Sequence, residues 1–455
     1  MYYEENFNYF FLLLLLTSCT NVTSDGTTAQ DTTNVTPVQV INIFINGNTE
    51  YKIIRSATAS ENCISAVLKL NNNFLSKFGS NCNDLSDWDN SAGGDGIVEN
   101  SEYEILIGYT NRKESRDAYA QIENKEDSYI IKAVNNKLVI IGNTDYVTNM
   151  AIDAFILRYI NSAEGKNLTM KYDDIIISQV SIQKNPVYKD ADFRIMTFNV
   201  LGVNGIRDRS EGIIDEIYYY MPDILCAQEA NAETHRLVLD KLNDYYSLAK
   251  SKLSENIKVN YTPILYKTKR YTVVESGVEW LRSRYTLTNT KSLSWAVFDD
   301  KETNKRFAVI NIHGAIWSTG YTLPDGKTHE EMIALANEWR IDNVKQTLEK
   351  SKVLAEKYGE TPCLFTGDYN CTSDSDAYKT AIASNLSDAE KSAGVNRCDT
   401  YKSTHTIGSM PSSGKTIDHI FGTSNVNFHV HNLATSASDL NTSDHCAVYA
   451  DVSFK

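Results

Sequence analysis

Six short motifs in the second half of the chain end apolar stretches with side chains suited to phosphate chemistry. They combine carboxylates, amides and imidazoles, which hold a hard cation, donate hydrogen bonds to anionic oxygens or move protons. Phosphoesters resist hydrolysis because an anionic centre repels the incoming oxygen, so a catalyst needs such groups around a placed water. In chain order the motifs are Phe198-Asn199, Gln228-Glu229, Asn311-Ile312-His313, Gly367-Asp368-Tyr369-Asn370, Ile417-Asp418-His419 and Ser443-Asp444-His445.

Each of these residues also has an ordinary structural explanation. An Asp or Asn near the end of a strand is usually a turn former, and His419 is expected to pack or to hydrogen-bond within the fold. Glu229 differs, because it ends the apolar stretch ILCAQEA and a carboxylate there is costly unless it is paired or bound to a metal. The order and spacing of all six motifs therefore carry more information than any one of them.

In this order and spacing the motifs strongly resemble the endonuclease/exonuclease/phosphatase family, from Phe193 to Phe454. The resemblance implies an α+β fold in four layers, with two packed and mostly antiparallel sheets flanked by helices. It places the site at one end of this sandwich. It also implies a phosphoester substrate and a Mg²⁺ or Mn²⁺ cofactor.

The same resemblance implies roles for individual residues, beginning with the metal. Glu229 would be the principal ligand of the cation, with Asn199 and Asp444 close by, since hard divalent cations prefer oxygen ligands.

The catalytic roles implied by the resemblance involve five other residues. His445 would be the general base or a phosphate contact, with its tautomer held by Asp418. Asp368 would orient the water or handle a proton at the leaving group. Asn370 and His313 would donate hydrogen bonds to phosphoryl oxygens.

Two further stretches resemble the bacterial secreted branch of the family, in which a phosphate-contacting Tyr occupies the position of Tyr266. They are Pro263-Ile264-Leu265-Tyr266 and Glu275-Ser276-Gly277-Val278-Glu279-Trp280-Leu281. The chain departs from its relatives after His313, where a long loop holds Tyr321, Pro324 and His329.

The elements that must position these motifs divide the chain into two folded units, since 455 residues exceed what one core usually organises. Residues 191–455 are predicted to form the catalytic domain, with helices that include 212–220 and 328–358. Residues 38–190 are predicted to form a smaller α+β domain, with strands on either side of the Asn46-Gly47-Asn48 turn and a helix over 60–78. Its stretches EILIGYTNR and YIIKAVNNKLVIIG resemble a small α/β domain that precedes the catalytic domain of some glycoside hydrolases. The domain could therefore be a spacer or a glycan contact.

The first 19 residues indicate export. The apolar run from Phe10 to Leu16 is too short to span a bilayer, and Leu16 to Cys19 resembles a bacterial lipobox in which Cys19 receives the lipid. Met1 to Asn8 departs from this pattern because it contains no Lys or Arg, so an ordinary cleaved signal or a coincidence stays open. Residues 20–37 are a polar linker with too little apolar content to fold.

Charge and cysteine content limit the partners and the compartment. The chain has 58 Asp and Glu against 44 Lys and Arg, a net charge of -14, so strong binding to duplex nucleic acid is not expected. Outside the cell, Cys63 with Cys82 and Cys371 with Cys398 could form disulfides, or these residues could be buried thiols.

These observations favour an extracytoplasmic, membrane-anchored or secreted hydrolase that depends on a divalent metal and acts as a phosphodiesterase or phosphatase. Two alternatives stay open: an extracellular nuclease, and a catalytically inactive protein that binds a glycan or the cell surface.

We predict that the protein partitions with membranes in its native host and that Cys19→Ala releases it, because the lipid would be attached to that thiol. Cell fractionation measures this, and full-length unprocessed protein in the cytosol would contradict it.

Overall fold

The structure is a computed structural model, and it describes residues 39–88, 96–203, 205–250, 259–285, 291–396, 415–434 and 442–455. The predicted leader with Cys19, the linker and Cys398 lie outside these residues. Residues 40–455 form one compact unit.

The helices and strands follow one another along both parts of the chain. The helices are α1 (Glu61–Phe78), α2 (Lys113–Tyr119), α3 (Asp145–Phe155), α4 (Ile206–Tyr220), α5 (Ala232–Leu237), α6 (His329–Tyr358), α7 (Asp376–Ala383) and α8 (Ala389–Ser392). The strands are β1 (Val40–Phe44), β2 (Lys52–Arg55), β3 (Asn83–Ser86), β4 (Glu104–Ile107), β5 (Ser128–Val134), β6 (Lys137–Gly142), β7 (Leu168–Lys171), β8 (Ile176–Gln179), β9 (Phe193–Asn199), β10 (Ile224–Gln228), β11 (Tyr246–Leu248), β12 (Ile264–Lys267), β13 (Tyr271–Trp280), β14 (Ser292–Asp300), β15 (Arg306–His313), β16 (Cys363–Asp368), β17 (Ser387–Asp388), β18 (Val395–Asn396), β19 (Asp418–Gly422), β20 (Val426–Leu433) and β21 (Val448–Phe454).

The C-terminal part, from residue 191 onward, is the predicted four-layer α+β sandwich. Among the described residues, one sheet has the strand order β11-β12-β10-β9-β21-β20-β18 and the other the order β13-β14-β15-β16-β19-β17. Side chains alternate across each strand, so Phe193 and Ile195 of β9 enter the core between the sheets, while Met196 and Phe198 face α4. The outer face of the second sheet packs against α6 and α7.

The strand registers align the motif residues at one end of the sandwich. Asn199 lies opposite Gln228 in the parallel pair β9 and β10. Asp368 lies opposite His313 on one side and opposite Asp418 on the other. Because the strand ends coincide in this way, the side chains that follow them share one edge of each sheet.

A buried amide pair joins the two sheets just below that edge. Nε2 of Gln228 donates to Oδ1 of Asn311 at 2.7 Å, and Nδ2 of Asn311 donates to the carbonyl of Ala227 at 2.8 Å. Both side chains are fully buried, so each would be costly without these partners. Two motif residues with no predicted catalytic role therefore form a link between the sheets.

The N-terminal part, residues 39–190, has a six-stranded sheet with the order β3-β2-β4-β6-β5-β8 and a separate pair, β1 with β7. The strands flanking Asn46 and Gly47 were predicted to surround one turn, and both residues do have positive φ. However, β1 pairs with β7 and β2 pairs with β3 and β4, so the two strands enter different sheets. Ile41 and Met170 lie opposite each other in the pair β1 and β7, and both side chains enter the core.

The two parts share a hydrophobic cluster and several polar contacts. The ring of Tyr146 lies 4.2 Å from that of Tyr218, and the backbone N–H of Tyr146 donates to Asp244 at 2.8 Å. The hydroxyl of Tyr245 donates to Asp127 at 2.8 Å. This face of the C-terminal part is thus covered by the N-terminal part.

Cys63 and Cys82 are buried and unpaired thiols, so the disulfide considered for them is absent. Burial raises the pKa of each to about 12, which keeps both protonated at neutral pH. Within the described residues, no helix is both long and apolar enough to cross a membrane.

We predict that Tyr146→Ala lowers the free energy of unfolding by about 1–3 kcal/mol, because it removes a ring packed between the two parts. The matched control is Tyr109→Ala, whose side chain is 45% exposed and lies in the N-terminal part. Thermal and chemical denaturation measure both changes. Equal and small losses would show that the contact between the two parts stabilises little.

The pattern of the sequence predicts that a fragment of residues 190–455 folds and stays active. Because the fragment lacks the contact with the N-terminal part, we predict that its melting temperature is lower than that of the full chain.

Candidate active site

Asn199 bridges the two sheets at the edge where the strands end. Its Nδ2 donates to Oε1 of Glu229 at 3.2 Å and to Oδ2 of Asp368 at 3.1 Å. Glu229 follows β10 in the first sheet and Asp368 ends β16 in the second. One amide thus fixes the separation of two predicted functional carboxylates.

His445 lies between two carboxylates, as the sequence predicted for one of them. Its Nδ1 is 2.8 Å from Oδ2 of Asp418, and its Nε2 is 3.9 Å from Oδ2 of Asp368. Burial disfavours the imidazolium, but the negative charges of Asp418, Asp368 and Asp444 outweigh it and raise the pKa of His445 to about 10. These carboxylates therefore favour the protonated form of His445.

Asp368, like Asp418, is a buried carboxylate of the cluster. Burial raises its pKa and the nearby charge of Asp418 adds to this, while His445 and Lys291 act in the opposite direction. The backbone N–H of Asn370 donates to Oδ1 of Asp368 at 2.8 Å. A raised pKa makes this carboxylate a better proton acceptor than an ordinary aspartate.

His313 is buried next to the carboxylates and contacts a lysine that belongs to none of the six motifs. Its Nε2 lies 3.4 Å from Oδ2 of Asp368 and 3.7 Å from Oε1 of Glu229. The same nitrogen hydrogen-bonds with Nζ of Lys291, which is 3% exposed. Burial lowers the pKa of Lys291 to about 8, although Asp368 and Glu229 act to raise it. Because an ammonium group only donates, Nε2 of His313 accepts in this contact, and the donation from His313 to a phosphoryl oxygen stays a prediction.

The backbone below the site is strained or tightly packed at several points. Glu229 and Asn370 have φ of 59° and 52°, in the left-handed region that non-glycine residues seldom adopt. A Cβ on Gly202 would lie 1.9 Å from the carbonyl oxygen of Glu229, and one on Gly367 would lie 2.0 Å from that of Ile312. Both glycines are therefore required for the backbones to approach one another under the site.

The residues predicted to bind a metal have a donor set that fits a hard cation. The side chain of Glu229 is 27% exposed, so its carboxylate can be reached. Asn199 faces Glu229 through Nδ2, and its Oδ1 accepts from the backbone N–H of Leu201 at 3.1 Å. Asp444 directly precedes His445, and its charge and that of Glu229 both act on Arg209. The arrangement therefore fits a divalent cation at Glu229.

A second group also satisfies a distance test for metal binding. In the described part of the chain, ligand atoms of Asp368, Asp418 and His445 lie within 4.8 Å of one another. In this group the 2.8 Å contact between His445 and Asp418 already pairs a cation with a carboxylate. Oδ1 of Asp418 is buried and has no hydrogen-bond partner among the described residues. The two groups share the same edge, so this trio adjoins the predicted ligands rather than replacing them.

Tyr266 does not join the cluster. In the antiparallel pair β10 and β12 it lies opposite Ile224, at the far end of the strand that leads to Glu229. Its ring lies 5.4 Å from that of Phe298 and packs on the core between the sheets. With about 3.4 Å per residue along a strand, this places Tyr266 more than a dozen ångströms from the site. The contact with phosphate predicted for it is therefore wrong.

Two cationic side chains support the site without being visible in the motifs. Lys291 stands just before β14, and Arg209 on α4 donates to the carbonyls of Leu201 and Thr442, which joins the segments after Asn199 and before Asp444. Neither stands next to a motif, and a Lys or Arg on its own carries no sequence signal. His419 is buried, with Nε2 2.8 Å from the carbonyl of Cys371, in keeping with the structural role expected of it.

The loop that departs from relatives after His313 packs as an aromatic cluster beside α6. The ring of Tyr321 stacks on Tyr285 at 5.8 Å, and Trp317 meets both rings edge-on. Burial raises the pKa of Tyr321 and the charge of Glu229 adds to this, so the cluster adjoins the cation site.

Comparison with known proteins finds a family model and similar solved structures. The family model described as endonuclease/exonuclease/phosphatase family matches residues 196–445. No curated protein matches the chain. Solved structures similar to it include the endonuclease/exonuclease/phosphatase from Bacteroides vulgatus, at 24% identity over 58% of this chain and 99% of that chain with a TM-score of 0.46. Another is a Bacteroides thetaiotaomicron mannosyl-6-phosphatase, at 18% identity over 58% and 100% of the two chains with a TM-score of 0.47. A truncated Caenorhabditis elegans TDP2 has 18% identity over 58% and 97%, with a TM-score of 0.43.

We predict that Asp418→Asn lowers the pKa of His445 by about 1–3 pH units, because a carboxylate that favours the imidazolium is lost. The folded-state pKa lies above the ordinary value of about 6.5, so the pair stabilises the fold fully below that pH, and the stabilisation is lost as pH rises through 10. NMR titration of the imidazole signals measures the pKa. The signals of His429, which stacks on Tyr188, serve as an internal control. An unchanged pKa of His445 would contradict the assigned pairing.

Proposed function

Because this chain belongs to the endonuclease/exonuclease/phosphatase family, whose members are hydrolases of phosphoesters, we propose that it hydrolyses a phosphoester with the help of a divalent cation. The observation that carries the proposal is the convergence of Glu229, Asp368 and Asn199 beside the imidazolium of His445. Such a set combines a reachable carboxylate, a buried proton acceptor and a cation at one strand end.

The charge on His445 supports a contact with the phosphoryl group. Since Asp418 keeps the ring protonated, Nε2 carries an N–H that can donate to a phosphoryl oxygen as negative charge develops there. The raised pKa of His445 supports the phosphate-contact role over the general-base role. Asp368, whose pKa is raised, is the group beside it that can exchange a proton with a water or a leaving group.

Asn370 supports the same site from the loop after β16. Its Nδ2 donates to the carbonyl of Gly314 at 3.1 Å, which fixes the amide against the loop that follows His313. An amide has two N–H bonds, and we propose that the second donates to the phosphoryl group.

Glu229, with Asn199 and Asp444, would hold the cation, which is Mg²⁺ or Mn²⁺ in this proposal. When bound, it would supply positive charge that reduces the repulsion between the phosphoryl group and the incoming oxygen. The amide of Asn199 would also orient both carboxylates, since it donates to Glu229 and to Asp368.

We further propose that the protein acts outside the cytoplasm, anchored through a lipid on Cys19. The sequence Leu16 to Cys19 and the polar linker after it support this location. A net charge of -14 favours small or lipid-linked phosphoesters over duplex nucleic acid. A glycan contact through the N-terminal part is proposed only from its resemblance to domains of glycoside hydrolases.

The alternative of an inactive binding protein is less well supported. Inactive relatives of an enzyme usually lose a metal or proton-transfer residue, whereas this chain brings Glu229, Asp368, Asp418 and His445 together.

We predict that the protein hydrolyses at least one of a panel of phosphomonoesters and phosphodiesters in Mg²⁺ and that EDTA abolishes the activity. Glu229→Gln should lower kcat/KM by about 10²–10⁴, because the shape is kept and the charge that holds the cation is lost. His445→Ala should cost at least as much. Asp418→Asn should cost less, and the Asp418→Asn, His445→Ala double variant should be no worse than His445→Ala alone.

The matched control is Glu233→Gln, which neutralises an exposed carboxylate on α5 that pairs with Arg207. It should leave kcat/KM within about twofold. Circular dichroism checks that every variant is folded. Near-normal turnover in folded Glu229→Gln and His445→Ala would show that the assigned site is wrong and would favour the binding protein.

A further inference from the structure

A second buried cation, Lys291, lies directly under the proposed phosphoryl site. It precedes β14, and its carbonyl accepts from the backbone N–H of Leu281 at 3.2 Å, which holds this part of the chain. Its side chain is 3% exposed. Burying an ammonium group is costly unless it is paired, so a lysine at this depth needs a compensating charge.

Lys291 differs from the other fully buried lysine of the described residues. Lys137 forms ion pairs with Glu104 at 3.3 Å and with Glu114 at 3.1 Å. Lys291 forms no direct ion pair with any carboxylate in the described ranges, and its Nζ instead hydrogen-bonds with Nε2 of His313. The negative charges that act on it, Asp368 and Glu229, lie beyond that imidazole. These two carboxylates belong to the proposed site, in which Glu229 would bind the cation and Asp368 would lie beside the substrate.

This arrangement has an electrostatic consequence that changes between the free and the loaded site. In the free site, the two carboxylates balance Lys291. A divalent cation at Glu229 would neutralise one of them and repel the ammonium, whereas a phosphate anion would restore the balance. The charge of Lys291 should therefore weaken the binding of the cation and strengthen the binding of the anion.

We propose that Lys291 is a positioning residue of the phosphoryl site, which orients His313 by donating to its Nε2 and supplies fixed positive charge that favours bound phosphate. The inference rests on the proposed function, because it concerns the same site. It assigns to Lys291 no contact with the substrate, and its effect is transmitted through His313 and through the electric field.

The test compares Lys291→Met, which keeps the volume and removes the charge, with Lys291→Arg, which keeps the charge. At pH 6.5, titration calorimetry of the unloaded enzyme measures Mg²⁺ binding without any turnover. Inorganic phosphate in the presence of saturating Mg²⁺ is the second probe. Lys291→Met should weaken phosphate binding about 10- to 100-fold and tighten Mg²⁺ binding about threefold or more. Lys291→Arg should restore much of the phosphate affinity.

Lys350→Met is the matched control for net charge. Lys350 lies on α6 in the same part of the chain, pairs with Glu279 at 3.4 Å and does not contact His313. It should change neither affinity by more than about twofold. If Lys291→Met does not fold, Lys291→Gln replaces it, since the amide can still donate to Nε2 without carrying charge.

The opposite signs separate this role from a structural one. If phosphate and Mg²⁺ affinities fall together, or if neither changes, Lys291 is a structural residue and the proposal is overturned. If the wild-type protein binds no Mg²⁺ and hydrolyses no phosphoester, the proposed function itself has failed. An active wild-type enzyme whose Lys291 variants behave like Lys350→Met would overturn only the role of Lys291.

Discussion

The site depends on the hydrogen bonds that Asn311 forms with the side chain of Gln228 and with the carbonyl of Ala227. Two sheets that met only through apolar side chains could slide by a fraction of an ångström at modest cost. An amide pair buried between them cannot, because each misplaced donor or acceptor would cost about 1–3 kcal/mol. Glu229 follows one member of the pair by one residue, and His313 follows the other by two. The contact that joins the sheets therefore also sets the distance between the groups that would hold the cation and the phosphate.

Much of the site could be predicted from the sequence because function here is tied to strand ends. Glu229, His313 and Asp368 each end or follow an apolar strand, and Asp418 begins one. The register of neighbouring strands brings these positions together. The long helix expected over 328–358 is α6, whose capping box at Thr328 and Glu331 is readable in the sequence.

What the sequence did not reveal depends on distant partners. Tyr266 was assigned from a resemblance of local sequence, whereas its position is set by antiparallel pairing with Ile224, far from Glu229. The strands around Gly47 fit a hairpin locally, yet β1 pairs with β7 and not with β2. Lys291 has an unremarkable sequence context, and only its depth and its contact with His313 mark it. In each case the deciding contact joins segments that are well separated in the chain.

The packing of Gly202 against Glu229 and of Gly367 against Ile312 bears on how such a site can be lost in evolution. Neither glycine has a functional group, and any side chain at either position would displace the backbone that aims a carboxylate. A descendant could keep every polar motif and still be inactive after one change from glycine. Its family membership and its intact acids and imidazoles would then suggest an active enzyme although the protein is inactive. Whether a descendant keeps this active site therefore depends partly on residues that take no part in its chemistry.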